Sequence, residues 1–163
     1  MSGKSVSRLM LNYEPGPLPE FAAPNEGEKI TLALDGLPPC KSARQSLRNP
    51  RSRSYPAFVA LRKAASEAIA GRAWYCGPVR ADVNIFAPSL PPGRDLGDYV
   101  GGIMDTLDGS HGLTFTYLPI VFEDDCQISG GSARFIRSKT VRYEVTFTFL
   151  PDGSREAFSY SGG

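Results

Sequence analysis

The segment 93–109 has the clearest division of apolar and acidic positions in the chain. At about 100° per residue, its apolar residues share one side of a helix and its aspartates share the other, which predicts a helix packed on a core. Two glycines between the acids, Gly101 and Gly102, disfavour a helix by roughly 1 kcal/mol each relative to alanine. We expect their missing side chains to let another backbone segment approach the acidic side closely. The apolar side comprises Leu96, Tyr99, Val100, Ile103, Met104 and Leu107, and the acidic side comprises Asp95, Asp98 and Asp105.

The other patterned segments predict one more helix and five strands. Alternation of apolar and polar residues indicates strands, and the clearest is 79–86, where every second residue is apolar. A helix is predicted to start at Pro56 and to stop before Gly71. The order β-α-β-α-β-β-β predicts an α+β two-layer sandwich, a mixed sheet with two helices on one face. The predicted strands are 29–34, 79–86, 120–122, 133–137 and 141–149, and the predicted helices are 56–70 and the acidic helix within 93–109.

A chain of 163 residues is long enough for one well-cored domain and too short for two comfortable ones. Four prolines in 1–28 and little apolar periodicity predict an extended or partly disordered arm. The folded domain is predicted to span 29–150, and 151–163 is predicted to be a loose tail.

Local charge is more informative than total charge. The net charge is +1, so nothing global indicates a nucleic-acid or membrane partner. The segment 36–66, however, contains no acid and seven bases. Such a segment suits contacts to phosphates, although a solvated loop explains it as well. The seven are Lys41, Arg44, Arg48, Arg51, Arg53, Arg62 and Lys63.

Cysteine and histidine usage excludes several classes of site. Three scattered cysteines disfavour a disulfide framework and a cysteine-ligated zinc site, and they fit a reducing cytoplasm. The single histidine, His111, excludes sites with several histidines and is interpreted as a loop residue rather than part of a hydrolytic triad. No apolar run approaches the roughly 18 residues of a membrane span, and 1–10 is too short and polar for a signal peptide. We therefore expect a cytoplasmic protein.

Two acidic motifs stand in an order that resembles a known family. Arg94-Asp95-Leu96-Gly97-Asp98 opens the acidic helix, which also carries Asp105-Thr106-Leu107, and Glu123-Asp124-Asp125-Cys126-Gln127-Ile128 follows an apolar run. They resemble the RusA-type Holliday junction resolvases, whose signature runs Asp-Leu-Asp-Asn, then Lys and Asp-Ala-Leu on a helix, then Asp-Asp-Ser-Gln-Ile. The resemblance covers roughly 29–150 and includes a strand leading to Pro-Pro, a basic loop, and Gly-Pro-Val at the start of a strand.

This resemblance implies a RusA-like fold and an activity. The family consists of homodimers that use Mg²⁺ to hydrolyse phosphodiester bonds at four-way DNA junctions. Asp95 and Asp125 match two of the family's aspartates and are the implied metal ligands. Asp124 is an additional candidate ligand beside Asp125. The predicted catalytic residues are Asp95, Asp98 and Asp125, and the predicted metal ligands are these three and Asp124.

The chain also departs from the family pattern. The family's second aspartate is Gly97 here, and Asp98 is expected to stand in for it because three residues along a helix bring two carboxylates together. The family's lysine corresponds to Gly101, so the positive group of the site is missing from its usual place. Arg94 and Lys139 are two candidates to replace it.

The case for a metal also follows from charge alone. Carboxylates gathered within about 4 to 6 Å raise one another's pKa unless a cation neutralises them, and Mg²⁺ or Mn²⁺ prefers oxygen ligands. We expect a Mg²⁺-dependent endonuclease that resolves branched DNA in recombination and repair, with no organic cofactor. A junction-binding relative without catalysis, or an interaction protein that reuses the fold, are the alternatives. The predicted DNA-binding residues are Lys41, Arg44, Arg48, Arg51, Arg53 and Arg94.

Overall fold

The computed structural model describes residues 19–42, 46–108 and 119–162. Arg44, His111, most of the predicted arm and the predicted turn after the acidic helix lie outside these residues. The strands are β1 (Lys29–Asp35), β2 (Val79–Ala87), β3 (Ile128–Arg137), β4 (Arg142–Phe149) and β5 (Phe158–Ser161), and the helices are α1 (Tyr55–Ile69) and α2 (Leu96–Leu107). A single 3-10 turn, Asp125–Gln127, precedes β3.

The five strands form one mixed sheet in the order β1-β4-β2-β3-β5. Strand β4 is antiparallel to both β1 and β2, whereas β3 is parallel to β2 and β5 is parallel to β3. The predicted α+β class and the mixed strand directions are therefore confirmed.

Both helices cover the same face of the sheet. In β2 the alternate residues Val79, Ala81, Val83 and Ile85 are fully buried, while the residues between them are half-buried. These four lie in one continuous core with the apolar residues of α1 and α2. The strict alternation thus identified the core face of the central strand, as a half-buried sheet requires.

The predicted element order is confirmed, but two of the last strands differ from the predicted ones. The apolar run 120–122 is buried in the core and makes one isolated bridge, between Phe122 and Tyr75, rather than a strand of the sheet. The fifth strand, β5, instead comes from the segment predicted to be a loose tail. A buried apolar run does not by itself distinguish a strand from a core-filling loop, because both need only burial.

Strand β3 is five residues longer at its start than the sequence predicts. Its first half contains Gly130 and Gly131. Because glycine is a poor strand former, the sequence pattern did not predict this half as a strand. A Cβ atom on Gly131 would stand 1.8 Å from the carbonyl oxygen of Ala81, so only glycine allows β3 to lie this close to β2 there. The residue also has a φ of +146°.

Helix α1 matches its prediction within one residue at each end. Pro56 lies in its first turn, where a missing N–H costs little, and the chain leaves the helix through Ala70 and Gly71, both at positive φ. Across the described residues, no helix combines the length and the apolar character needed to cross a bilayer.

Candidate metal centre

Three aspartates from two distant segments come together at one edge of the fold. Asp105 and Asp108 lie at the end of α2, and Asp125 opens the 3-10 turn before β3. One carboxylate oxygen from each lies within 4.8 Å of the other two. Three carboxylates at this spacing form a group that could hold a metal ion.

The chain topology explains why the end of α2 meets Asp125. Strands β2 and β3 are parallel neighbours, so both start at the same edge of the sheet. Helix α2 connects the end of β2 back to that edge, and therefore its last turn lies near the start of β3. Its first turn lies at the other end, about 15 Å away along the helix axis.

Asp95 and Asp98 consequently form a separate structure. The Asp95 carboxylate accepts a hydrogen bond from the Asp98 backbone N–H at 2.9 Å, and the Asp98 carboxylate accepts one from the Asp95 N–H at 3.1 Å. This reciprocal capping box satisfies backbone donors at the start of α2. The expectation that Asp95 and Asp98 converge with Asp125 is therefore wrong for the described residues, because both acids cap the start of α2 instead.

Asp108 is the most buried of the three clustered acids, with a side chain that is 10% exposed. Burial raises the pKa of this carboxyl to about 7, although the nearby Arg48 guanidinium lowers it. The Asp105 and Asp125 charges act in the same direction as burial. Asp108 also caps the C-terminus of α2, where the partial negative charge of the helix dipole accumulates. The cluster thus places negative groups where they most need a cation.

A short acidic turn holds Asp125. Asp124 caps the turn by accepting a hydrogen bond from the Cys126 N–H at 3.0 Å. A hydrogen bond with Asp124 is the largest cause of the raised pKa of Asp125, followed by burial and by the charges of Asp124 and Asp105, while Lys41 lowers it. Asp124 is thus next to the cluster but outside the group of three.

Gln127 fastens this turn to the start of β2. Its side-chain oxygen accepts from the backbone N–H groups of Glu123 and Asp124 at 2.8 and 3.0 Å. Its amide nitrogen donates to the carbonyl oxygens of Tyr75 and Gly77 at 2.7 and 2.9 Å. One side chain therefore fixes the loop that presents Asp125.

The two glycines of α2 admit a crossing segment, as the sequence predicts. A Cβ atom on Gly102 would stand 1.9 Å from the carbonyl oxygen of Pro39. One residue earlier, a Cβ atom on Gly101 would stand 3.1 Å from Cδ of Lys41. The backbone N–H of Lys41 also donates to the Asp98 carbonyl at 2.9 Å. The chain thus crosses α2 in direct contact with its backbone.

Lys41 continues from this crossing to the acidic cluster. Its Nζ lies 3.4 Å from Oδ2 of Asp105, and its side chain is 58% exposed. Lys41 was predicted to contact DNA, and it is the lysine that lies beside the carboxylates. Arg94 and Lys139 were the two candidates to replace the family's lysine, and both lie away from the cluster. Lys139 follows the far end of β3, about 30 Å along the strand from the 3-10 turn. Arg94 lies at the opposite end of α2, where a hydrogen bond with Cys40 raises its pKa.

The remaining predicted DNA-binding residues have different environments. Arg48 has a side chain that is only 20% exposed. Its Nη2 donates to the Asp105 carbonyl at 2.8 Å and lies 3.3 Å from the Asp108 carboxylate. Arg51 and Arg53 are exposed. Their contact with DNA stays a prediction, whereas Arg48 is already engaged at the end of α2.

The sequence offered signals for the residues that its interpretation missed. Asp105 was assigned to the acidic side of α2, but not to the site. Asp108 follows three residues later, a spacing that brings side chains together on a helix. The missing step was the direction in which α2 runs relative to β3, which residue spacing does not encode.

Comparisons with known proteins identify no family. No family model matches the chain, and no curated protein is significantly similar to it.

Proposed function

We propose that this protein is a Mg²⁺-dependent endonuclease that hydrolyses phosphodiester bonds in branched DNA such as Holliday junctions. The observation that carries the proposal is the convergence of Asp105, Asp108 and Asp125 within 4.8 Å. The resemblance of the two acidic motifs to the RusA-type resolvases supports the choice of substrate, with the metal ligands at the end of α2 instead of its start.

The donor set fits a hard divalent cation. All three groups offer carboxylate oxygens, which suit Mg²⁺ or Mn²⁺ and not the softer metals that select sulfur or imidazole. Asp105 is partly exposed and Asp125 is exposed, so coordination positions remain for water and a phosphate oxygen. Bound Mg²⁺ would polarise the scissile phosphoryl group and lower the pKa of a coordinated water.

In this proposal, one set of residues holds and positions the ion, and Arg51 contacts the DNA. Asp105, Asp108 and Asp125 would hold the ion, and Gln127 keeps the turn of Asp125 in position. Arg48 fixes Asp108 against the end of α2. The Cα of Arg51 cannot lie more than about 11 Å from that of Arg48, so its exposed guanidinium is available to phosphates flanking the site.

Paired cleavage of a four-way junction needs two sites. Homodimers with twofold symmetry provide one acidic cluster for each of two opposing strands. We therefore propose a homodimer as the acting form, and sedimentation at micromolar concentration tests it.

A cleavage assay tests the proposed activity. A synthetic four-way junction and a linear duplex of the same length are incubated with Mg²⁺, Mn²⁺ or chelator, using the wild type, Asp105→Asn, Asp125→Asn and Glu123→Gln. Glu123 is exposed and lies in the same loop but outside the cluster, so it is the matched control. We expect paired nicks in the junction from the wild type and the control alone. Cleavage that persists in both aspartate variants would overturn the proposal.

A junction-binding protein without catalysis is the second candidate. It is favoured by the two cations already beside the cluster, since Lys41 and Arg48 neutralise part of its charge without a metal. Tight binding to the junction in chelator with no product in Mg²⁺ or Mn²⁺ would identify it. If neither the junction nor the duplex binds at about 50 mM salt, an interaction protein that reuses the fold remains.

A further inference from the structure

We infer that Lys41 is the phosphate-contacting cation of the acidic cluster, and that its ammonium exchanges Asp105 for a DNA phosphate oxygen when a divalent ion binds. This inference rests on the proposed function. The positive charge that the cluster requires then comes from a residue outside α2. Its two partners are Asp105 before the ion binds and a DNA phosphate oxygen afterwards.

The position of Lys41 is fixed by its backbone. Its N–H donates to the Asp98 carbonyl at 2.9 Å, and the N–H of the preceding residue, Cys40, lies 3.1 Å from Ser54 Oγ. Close contact between Pro39 and Gly102 holds the same segment against α2. The start of the Lys41 side chain is therefore anchored, and only its flexible end is free to change partner.

The Lys41 side chain passes close over position 101 of α2. Lys41 Cδ lies 3.1 Å from the place that a Cβ of residue 101 would take, and Nζ continues to Asp105 at 3.4 Å. The lysine stem thus follows the route that a side chain from position 101 would follow. A lysine placed at position 101 would reach the same carboxylates from the helix itself.

Among the described residues, Arg48 is the other cation at the cluster, and its exposure distinguishes it from Lys41. The Lys41 side chain is 58% exposed, whereas that of Arg48 is 20% exposed. Arg48 also donates to the Asp105 carbonyl, a backbone group that would lose this bond if Arg48 moved. Lys41 has a carboxylate partner whose charge a divalent ion would neutralise. Lys41 is therefore the cation that is free to turn to DNA.

Two effects of opposite sign follow for a variant without the ammonium. The metal no longer competes with a positive charge at Asp105, so the affinity for Mn²⁺ in the absence of DNA should rise, by about fivefold. The phosphate loses one stabilising charge, so the single-turnover cleavage rate should fall by about 100-fold. If Lys41 had only a structural role, its loss would lower both the Mn²⁺ affinity and the cleavage rate.

The experiment compares Lys41→Ala with Lys41→Arg, with the double variant Lys41→Ala/Gly101→Lys, and with Lys139→Ala. Lys139 is an exposed lysine far from the cluster and controls for loss of one charge. Mn²⁺ affinity is measured by titration calorimetry without DNA, and cleavage is measured on the four-way junction. We expect Lys41→Ala to bind Mn²⁺ more tightly and cleave slowly, and the double variant to recover at least tenfold of the lost rate. Lys139→Ala should match the wild type in both measurements.

The outcomes separate this inference from the proposed function. If the wild type cleaves and Lys41→Ala cleaves equally fast, the role of Lys41 is wrong and the endonuclease stands. If the wild type binds Mn²⁺ but cleaves nothing, the proposed activity is wrong. In that case Lys41 is tested by the Mn²⁺ titration and by Mn²⁺-dependent junction binding, and unchanged values in Lys41→Ala overturn the inference.

Discussion

The Pro39 carbonyl oxygen lies 1.9 Å from the point at which a Cβ atom of Gly102 would stand. Real Cβ atoms do not approach a backbone oxygen this closely, so the crossing of α2 by the segment before Lys41 depends on this glycine. The neighbouring contact at Gly101 involves the middle of a flexible side chain instead. The two adjacent glycines should therefore respond differently to the same substitution.

Gly102→Ala should destabilise the protein by about 2 kcal/mol or more, because the displacement of the Pro39 backbone outweighs the roughly 1 kcal/mol that alanine gains in a helix. Gly101→Ala should be nearly neutral, since the Lys41 side chain can shift by a few tenths of an ångström. Urea unfolding monitored by circular dichroism measures both. Equal stability of the two variants would contradict the close crossing.

Asp95→Asn should retain Mn²⁺ binding and cleavage, because asparagine caps a helix as well as aspartate does and residue 95 is outside the cluster. Asp125→Asn should weaken Mn²⁺ binding at least tenfold, as even the outer partners of a metal ligand contribute this much. Calorimetric titration of the two variants with Mn²⁺ shows whether the metal binds at the start or at the end of α2. Loss of binding in Asp95→Asn alone would return the site to the start of the helix.

Gln127→Ala should destabilise the fold by about 1 to 3 kcal/mol, because it removes four hydrogen bonds that join the acidic turn to the start of β2. It should also weaken Mn²⁺ binding about tenfold, since Asp125 loses its fixed position. The matched control is Cys126→Ala, a change at an exposed neighbour in the same turn. If the two variants bind Mn²⁺ equally well, Gln127 does not position Asp125.

The contribution of Asp108 to the stability of the chelator-treated protein should fall as the pH rises from about 4 to about 7. The carboxyl of Asp108 has a pKa of about 7 in the folded protein and its ordinary value of 3.8 in the unfolded chain. As the pH rises between these values, the unfolded chain loses this proton while the folded protein keeps it, and this difference favours unfolding. The effect reaches at most about 4 kcal/mol at pH 8. Asp108→Asn should remove most of it.

The measurement for this prediction is urea unfolding of the wild type and Asp108→Asn at pH 5 and pH 8 in chelator. Titration of the other groups is common to both proteins and cancels in the comparison. We expect the variant to gain stability relative to the wild type at pH 8 more than at pH 5. An equal difference at the two pH values would mean that Asp108 ionises normally in the fold.

Removing two exposed arginines should reduce the salt dependence of DNA binding. If Arg51 and Arg53 each neutralise one phosphate, Arg51→Gln/Arg53→Gln should lower the slope of log affinity against log salt by nearly 2. The matched control is Arg134→Gln/Arg137→Gln, which removes two exposed arginines from β3. Filter binding or fluorescence anisotropy between 50 and 200 mM salt measures the slopes. An unchanged slope in the first variant would show that this segment does not contact phosphates.

Local patterns were enough to predict most of the fold. Alternation in β2 identified the buried face, proline and glycine marked the ends of α1, and the glycines of α2 indicated a close backbone approach. These features depend on residues near one another in the chain. Strand β5 and the non-strand character of 120–122 depend instead on which segment pairs with the sheet in the folded protein, and that is a tertiary outcome.

The sequence correctly predicted that acidic residues converge, but not which ones. Acids distant in the chain do converge, and Asp125 is one of them. The error was to pair Asp125 with Asp95 at the start of α2 instead of Asp105 and Asp108 at its end. Both pairings fit the sequence, because the two ends of a helix carry similar acids, and only the parallel pairing of β2 with β3 selects between them.

Phe122 is fully buried only three residues before Asp125, and the side chain of Gln127 ties down the turn two residues after it. The loop that presents the carboxylate is thus clamped on both sides, so it should exchange its amide hydrogens slowly for a surface loop. If the cluster holds an ion as we propose, that ion would meet ligands that are already ordered. The entropic cost of ordering this loop would then be part of folding and would not reduce the affinity for the ion.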